Sequence, residues 1–357
     1  MSSGLTDILT RTFCQPTQRL CSIPNQSTRD PIALKQSLCK FRNNGNTATL
    51  APANLFLAAG SDEVIDALIR CFCCPGHDTI LICPPVYERY SIAAQINDVK
   101  VVEVPLDPQQ SFQFQLAKVK NTLSSDPSIK LIFICSPGQP TGTMVSLEDI
   151  QDILLNASWN GVLIVDEAYI DFATERGSLA THVLLHPNLV VVQTLSKGFG
   201  LAGLRLGIAF ASLDIAELLN NIRTPYNIGN LTIHVAMEAM KDTYMAMMRT
   251  NITNIRLERD RLAGELPKIR GVGLVKGELN ANFLLFEVLD SPTNQGKPCN
   301  RSAMKLTESL VSRYGILVRY KGNMHGCHGS IRVTIGTEGE MTRFLEGVTS
   351  ILESMYI

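Results

Sequence analysis

The chain has 357 residues, 45% hydrophobic and 18% charged, enough for a sizeable core and two domains. A net charge of −1 and a pI near 6.6, with scattered basic residues, exclude an electrostatic case for nucleic acid or an anionic membrane surface. No apolar run reaches the ~20 residues of a membrane helix. The ten cysteines show no pair of C-x-x-C motifs, so they read as reduced core thiols of a cytoplasmic protein.

Residues 1–50 form an N-terminal segment. Its first part carries Arg11 and Arg19 among Ser and Thr with one acid, Asp7, a transit-peptide composition without an amphipathic stripe. From Leu55 to about Ala211, strand and helix patterns alternate, as in a parallel sheet wrapped by helices. In Ala58-Ala-Gly60-Ser61-Asp62-Glu63, Gly, Ser and Asp open an apolar-periodic helix. Free backbone N–H groups and the helix dipole make that end an anion site. Thr79-Ile-Leu-Ile-Cys-Pro-Pro-Val-Tyr87-Glu-Arg-Tyr90 puts Tyr87 just past a strand, where its ring suits a flat cofactor.

A further strand, Lys130 to Cys135, ends in the turn Ser136-Pro-Gly-Gln139-Pro-Thr-Gly142. Gly161-Val-Leu-Ile-Val-Asp166-Glu-Ala-Tyr169 carries Asp166 at the carboxyl end of a buried strand, where open sheets place ligand-contacting residues. Asp166 either caps a turn or meets a cation such as a pyridinium nitrogen, and Tyr169 is within reach of that ring's phenolic oxygen. After Leu189-Val-Val-Val192 comes Thr194-Leu-Ser196-Lys197-Gly-Phe-Gly-Leu-Ala-Gly-Leu-Arg205-Leu-Gly. An amine beside a hydroxyl, with a guanidinium eight residues on, suits a phosphorylated aldehyde. The amine makes a Schiff base and the other two take the phosphate. Alone, this string equally fits a surface turn.

Leu204 to Ala211 reads as a strand and Leu231 to Gly264 as one helical region, with Met237, Met240, Tyr244 and Met247 as a buried stripe. From Gly271 the pattern is α+β: a strand near Phe283, a polar loop from Asp290 to Asn300, a helix to Tyr314, then short strands. The units are thus 1–50, a large domain over 51–250 and a small one over 251–357. His325-Gly-Cys327-His328 has no second cluster to complete four ligands, so no metal is expected. Asn-x-Ser/Thr triplets such as Asn230-Leu-Thr232 carry no glycosylation inference without a secretory signal.

The motifs around Gly60, Tyr87, Gln139, Asp166, Lys197 and Arg205, with Ile331-Arg332-Val-Thr-Ile-Gly-Thr337, resemble in order the fold-type-I pyridoxal-phosphate aminotransferases. They are most similar to the histidinol-phosphate aminotransferase family, from about Pro31 to the C-terminus. The resemblance implies an α/β fold with a large, mostly parallel sheet domain, a smaller α+β C-terminal domain, and homodimers with active sites at the subunit boundary. It implies ping-pong transamination in histidine biosynthesis, with histidinol phosphate as amino donor and 2-oxoglutarate and glutamate as the other pair. Lys197 would carry the cofactor and move the proton, Asp166 would pair with the ring nitrogen, and Tyr169 would support the phenolic oxygen. Tyr87 would stack, while Ser196, Arg205 and the helix start at Ser61-Asp62 would hold the phosphate. Arg319 and Arg332 would meet the anionic end of the substrate.

Two departures stand out. Gln139 replaces a family Asn that contacts the cofactor, next to Gly138, a tolerated variant. The family's N-terminal arm lacks its first motif here, and Thr28 stands where a tyrosine reaches the neighbouring subunit's phosphate site. These departures leave room for truncation, for a paralogue with another substrate, for decarboxylation or elimination on the same cofactor, or for a catalytically weakened homologue.

Overall fold

The runs that read as strands are buried on both faces, as strands between two helical layers must be. The computed structural model describes residues 31–43, 49–174, 176–293 and 295–356; Thr28, Asp7, Arg11 and Arg19 lie outside them. In chain order come α1 (Ile32–Arg42), β1 (Leu55–Ala58), α2 (Ser61–Phe72), β2 (Thr79–Ile82), α3 (Arg89–Ile96) and β3 (Lys100–Glu103). Then follow α4 (Leu116–Ser125), β4 (Ile129–Cys135), α5 (Leu147–Leu154), β5 (Val162–Asp166), β6 (Leu189–Thr194), β7 (Gly207–Ala211) and α6 (Leu213–Asn221).

The seven strands lie in the order β1-β7-β6-β5-β4-β2-β3. Alternate residues serve opposite faces: Phe56, Ile80, Phe133, Ile164 and Val192 pack with α2 and α3, whereas Leu57, Leu81, Ile132, Val165 and Val191 pack with α1, α4 and α5. Each such side chain contributes about 1.5–3 kcal/mol on burial. Strands β2 to β6 run parallel, β7 runs against β6, and β1 against β7. The ends of β1, β2, β4, β5 and β6 therefore share one edge with the start of β7.

Two segments differ from the sequence expectation. The strand expected from Leu204 begins at Gly207, because Ala202–Leu204 is a 3₁₀ turn and Arg205 is left-handed at φ 52°. The single helical region over Leu231–Gly264 is two helices, α7 (Asn230–Ala239) and α8 (Asp242–Glu265), parted where Lys241 is extended with ψ 147°. The chain crosses there from one core to another, and Met240 packs against both. The break resets the helical phase. Met237 and Tyr244 are partly buried, but Met247 is 39% exposed, and Met245, Met248, Ile252 and Ile255 form the buried face of α8 instead.

A second, antiparallel sheet has the order β10-β11-β9-β8, from β8 (Val272–Lys276), β9 (Phe283–Val288), β10 (Arg319–Tyr320) and β11 (Ser330–Thr334). Helices α8, α9 (Asn300–Tyr314) and α10 (Glu338–Met355) cover it around Phe286, Leu306, Phe344 and Leu352. The sequence boundary at residue 250 falls within α8. Cys74 is exposed rather than a core thiol, because α2 ends at Phe72 and Cys73 is the last residue of that turn to face inward. Among the described residues, no three His, Cys, Asp or Glu side chains group to hold a metal ion, and no helix is long and apolar enough to cross a membrane.

Candidate active site

Two adjacent carboxylates end β5, and their partners separate them. Glu167 is saturated: it accepts from Ser178 Oγ (2.6 Å), Leu179 N (2.8 Å) and Gln193 Nε2 (2.9 Å) and meets Arg176 at 3.4 Å. Asp166, only 4% exposed, accepts from Tyr90 Oη at 2.7 Å and from the Ala168 N–H at 3.0 Å. A carboxylate offers about four acceptor positions, so Asp166 keeps capacity for a further donor. Burial pushes its carboxyl above the usual range, against the pull of the Tyr90 and Ala168 bonds and the Lys197 charge. A buried cation at its free positions would restore the ionised form.

Lys197 lies three residues beyond β6, its Nζ 5.6 Å from the centre of the Tyr169 ring. Burial, and then the Arg332 guanidinium, hold its amine below the ordinary lysine value, with Asp166 opposing. Tyr169 is buried, edge-on to Phe283 at 5.1 Å, and burial pushes its phenol up. Arg332, on β11, stands 5.1 Å over Phe283, and its buried Nε has no hydrogen-bond partner among the described residues.

The start of α2 meets Arg205 because two glycines permit it. Gly60, at φ +93°, would collide with the Arg205 guanidinium if it had a Cβ, and a Cβ at Gly207 would strike the Gly60 backbone. No side chain caps α2, so its first N–H groups face outward beside that guanidinium. Ser61 is the first residue of this helix. The carboxylate of Asp62 belongs to the cradle's wall: it accepts from Tyr87 Oη at 3.0 Å and lies 3.7 Å from Arg205 Nη2 and 3.8 Å from Arg89 Nε. Its side chain thus orients the Tyr87 ring, while its backbone N–H stays at the uncapped helix start.

Ser196 Oγ lies 2.9 Å from Thr194 Oγ1, which ties it to the end of β6. Gln139 is half-buried in the turn after β4, its peptide bond to Pro140 cis. Arg319, exposed on β10, is brought to Arg332 rather than to the Asp166 cluster. A cavity of about 910 Å³ is lined by Lys197 together with α8 and the β11–α10 turn; Asp166, Tyr87 and Arg205 do not line it. Tyr90 was not singled out by the sequence, although it is three residues from Tyr87. Nor was Arg42, which binds Asp171 (2.8 Å) and Gln193 (2.7 Å) and so ties α1 to the site loops. The available signal for Tyr90 was an aromatic with a hydroxyl just inside a helix that follows a strand end.

The donor set fits pyridoxal phosphate: a buried carboxylate with acceptor capacity, a half-buried amine of lowered proton affinity, and an uncapped helix start beside a guanidinium. The family described as aminotransferase class I and II matches residues 25–348. The histidinol-phosphate aminotransferase of Schizosaccharomyces pombe is 44% identical over 327 residues, covering 91% of this chain and 84% of that one. That of Candida maltosa is 42% identical over 330 residues, with the same coverage. A solved histidinol-phosphate aminotransferase from Sinorhizobium meliloti, in complex with pyridoxal-5'-phosphate, superposes with a TM-score of 0.78 at 19% identity. It covers 91% of this chain and 83% of that one.

Proposed function

The chain belongs to the histidinol-phosphate aminotransferase family of class I and II aminotransferases, and from that premise we propose that it transfers the amino group of histidinol phosphate to 2-oxoglutarate, with pyridoxal phosphate held on Lys197. When bound, the cofactor supplies an aldehyde and an electron-withdrawing ring. The lowered proton affinity of Lys197 favours the neutral amine that attacks an aldehyde. The same Nζ, once freed by the donor, would hold and move the proton of the substrate carbon as general base and acid. Asp166 would pair with the pyridine nitrogen and hold its proton there. Tyr169 and Gln139 would serve the phenolic oxygen, and Tyr87, fixed through Asp62, would stack on the ring. Arg205, Ser196 and the Ser61 and Asp62 N–H groups would hold the phosphate. The reading includes a homodimer, as the resemblance implies.

The observation that carries the substrate is the pairing of Arg319 with Arg332 in register, together with the unpartnered Nε of Arg332. Two guanidiniums carried on register-paired residues suit a phosphate dianion, whereas one carboxylate is served by one. The test is a coupled assay of the purified protein with 2-oxoglutarate against histidinol phosphate, histidine, phenylalanine and tyrosine. The reading expects a marked preference for histidinol phosphate. Equal or better turnover of an unphosphorylated amino acid contradicts it.

A further inference from the structure

We propose that Tyr90 is a positioning residue that holds Asp166 ionised and aimed at the cofactor, so that the pyridine nitrogen and not the carboxyl carries their shared proton. This rests on the functional reading above. The Tyr90 side chain is fully buried, and its hydroxyl donates to Asp166 Oδ2 at 2.7 Å. Its ring is fixed on two sides: stacked on Phe133 at 4.9 Å and 20°, and edge-on to Tyr87 at 5.8 Å and 89°. Phe133 lies two residues before Cys135, the residue that pairs with Asp166 across β4 and β5. Tyr90 thus joins the residue assigned to the ring's face, Tyr87, to the residue assigned to its nitrogen.

The titratable groups that face Asp166 are Tyr90 on α3, Cys135 on β4, Lys197 after β6, Asp62 on α2, and the phenols Tyr87 and Tyr169. Of these side chains, Tyr90 and Lys197 favour the ionised carboxylate, and Asp62 opposes it. In that reading Lys197 changes charge as it is held by the aldehyde, released and used to move a proton, whereas the Tyr90 hydrogen bond acts on Asp166 throughout the reaction. Without its donor the carboxylate becomes the stronger base and draws the proton off the ring nitrogen. Loss of one hydrogen bond to a charged group shifts such a partition by about tenfold or more.

The test compares wild type and Tyr90→Phe, each loaded with pyridoxal phosphate carrying ¹⁵N in the ring. Nitrogen NMR reads the ring's protonation, and thermal unfolding of the apoprotein reads stability. The proposal expects the variant's ¹⁵N resonance to move toward the unprotonated position. It also expects the donor half-reaction to slow by about tenfold with the donor's KM little changed. A resonance and half-reaction rate equal to wild type, with or without lowered stability, overturn it. If Tyr90→Phe does not fold, 3-fluorotyrosine placed at position 90 alone serves instead. Its more acidic hydroxyl should move the resonance toward the protonated side, and no shift or the opposite shift overturns the proposal. Wild type that takes up no pyridoxal phosphate overturns the functional reading itself, which is a separate outcome.

Discussion

Arg319 and Arg332 stand directly opposite each other across the β10–β11 pair. Like charges directly opposite each other destabilise a strand pair, and an anion held between them would offset that. Arg332 is held by the Phe283 ring and by burial, whereas Arg319 is exposed and free to close on a ligand. Arg319→Ala should lower kcat/KM for histidinol phosphate by about ten- to a hundredfold, the loss of a charge-assisted contact. The specificity constant for histidinol should hardly change. Measuring both donors on both proteins checks this, and a phosphate advantage that survives in the variant rejects the clamp.

The two adjacent acids at the end of β5 should respond differently to loss of their charge. Asp166→Asn should leave cofactor bound but slow the donor half-reaction by about a hundredfold or more, because a fixed charge opposite the ring nitrogen is lost. Glu167→Ala strands the Leu179 N–H, Gln193 and Ser178 donors and should cost about 3 kcal/mol or more of stability. Its effect on chemistry should be small in protein that remains folded. Denaturant unfolding and single-turnover rates of both variants separate the roles; equal kinetic losses would show that the assignment to Asp166 is wrong.

The edge of the sheet was legible in the sequence because buried strands announce themselves as apolar runs and turns as Gly and Pro. Asp166, Lys197 and Tyr87 follow such runs and Arg205 precedes one; parallel strands bring the ends of their runs together, and antiparallel β7 brings its start to the same edge. The contact of Tyr90 with Asp166 was not legible, because it crosses two strands and depends on the face that Phe133 occupies. The division of α7 from α8 was hidden for another reason: Met240-Lys241 contains no Gly or Pro, and the break serves two cores at once. Asp62 was placed correctly at the helix start, but the partners of its side chain are tertiary and left no pattern in the sequence.

Capture of pyridoxal phosphate by the apoprotein should depend on pH through Lys197. The neutral amine is reactive, and burial with Arg332 lowers its proton affinity while Asp166 raises it. The capture rate should therefore rise with pH through a midpoint below the ordinary lysine value. Arg332→Gln should move that midpoint up, and Asp166→Asn should move it down. Stopped-flow absorbance across pH reads all three; midpoints that move together or in the reverse sense contradict the electrostatics.

Gly60→Ala should damage the phosphate cradle. A side chain there must tolerate φ +93° and displace the Arg205 guanidinium. Backbone strain of this kind costs about 1–3 kcal/mol, so cofactor affinity should fall by about tenfold or more. Equilibrium titration of the apoprotein with pyridoxal phosphate checks it. Unchanged affinity would mean that Arg205 does not grip the phosphate from this side.

The central claim is that Lys197 carries the cofactor. Its most direct test is borohydride reduction of the protein loaded with pyridoxal phosphate, followed by peptide mapping by mass spectrometry. The account predicts the reduced pyridoxyl group on the peptide containing Ser196-Lys197-Gly198, and none on Lys197→Ala treated in the same way. Stoichiometric label on another lysine in the wild-type protein would contradict it.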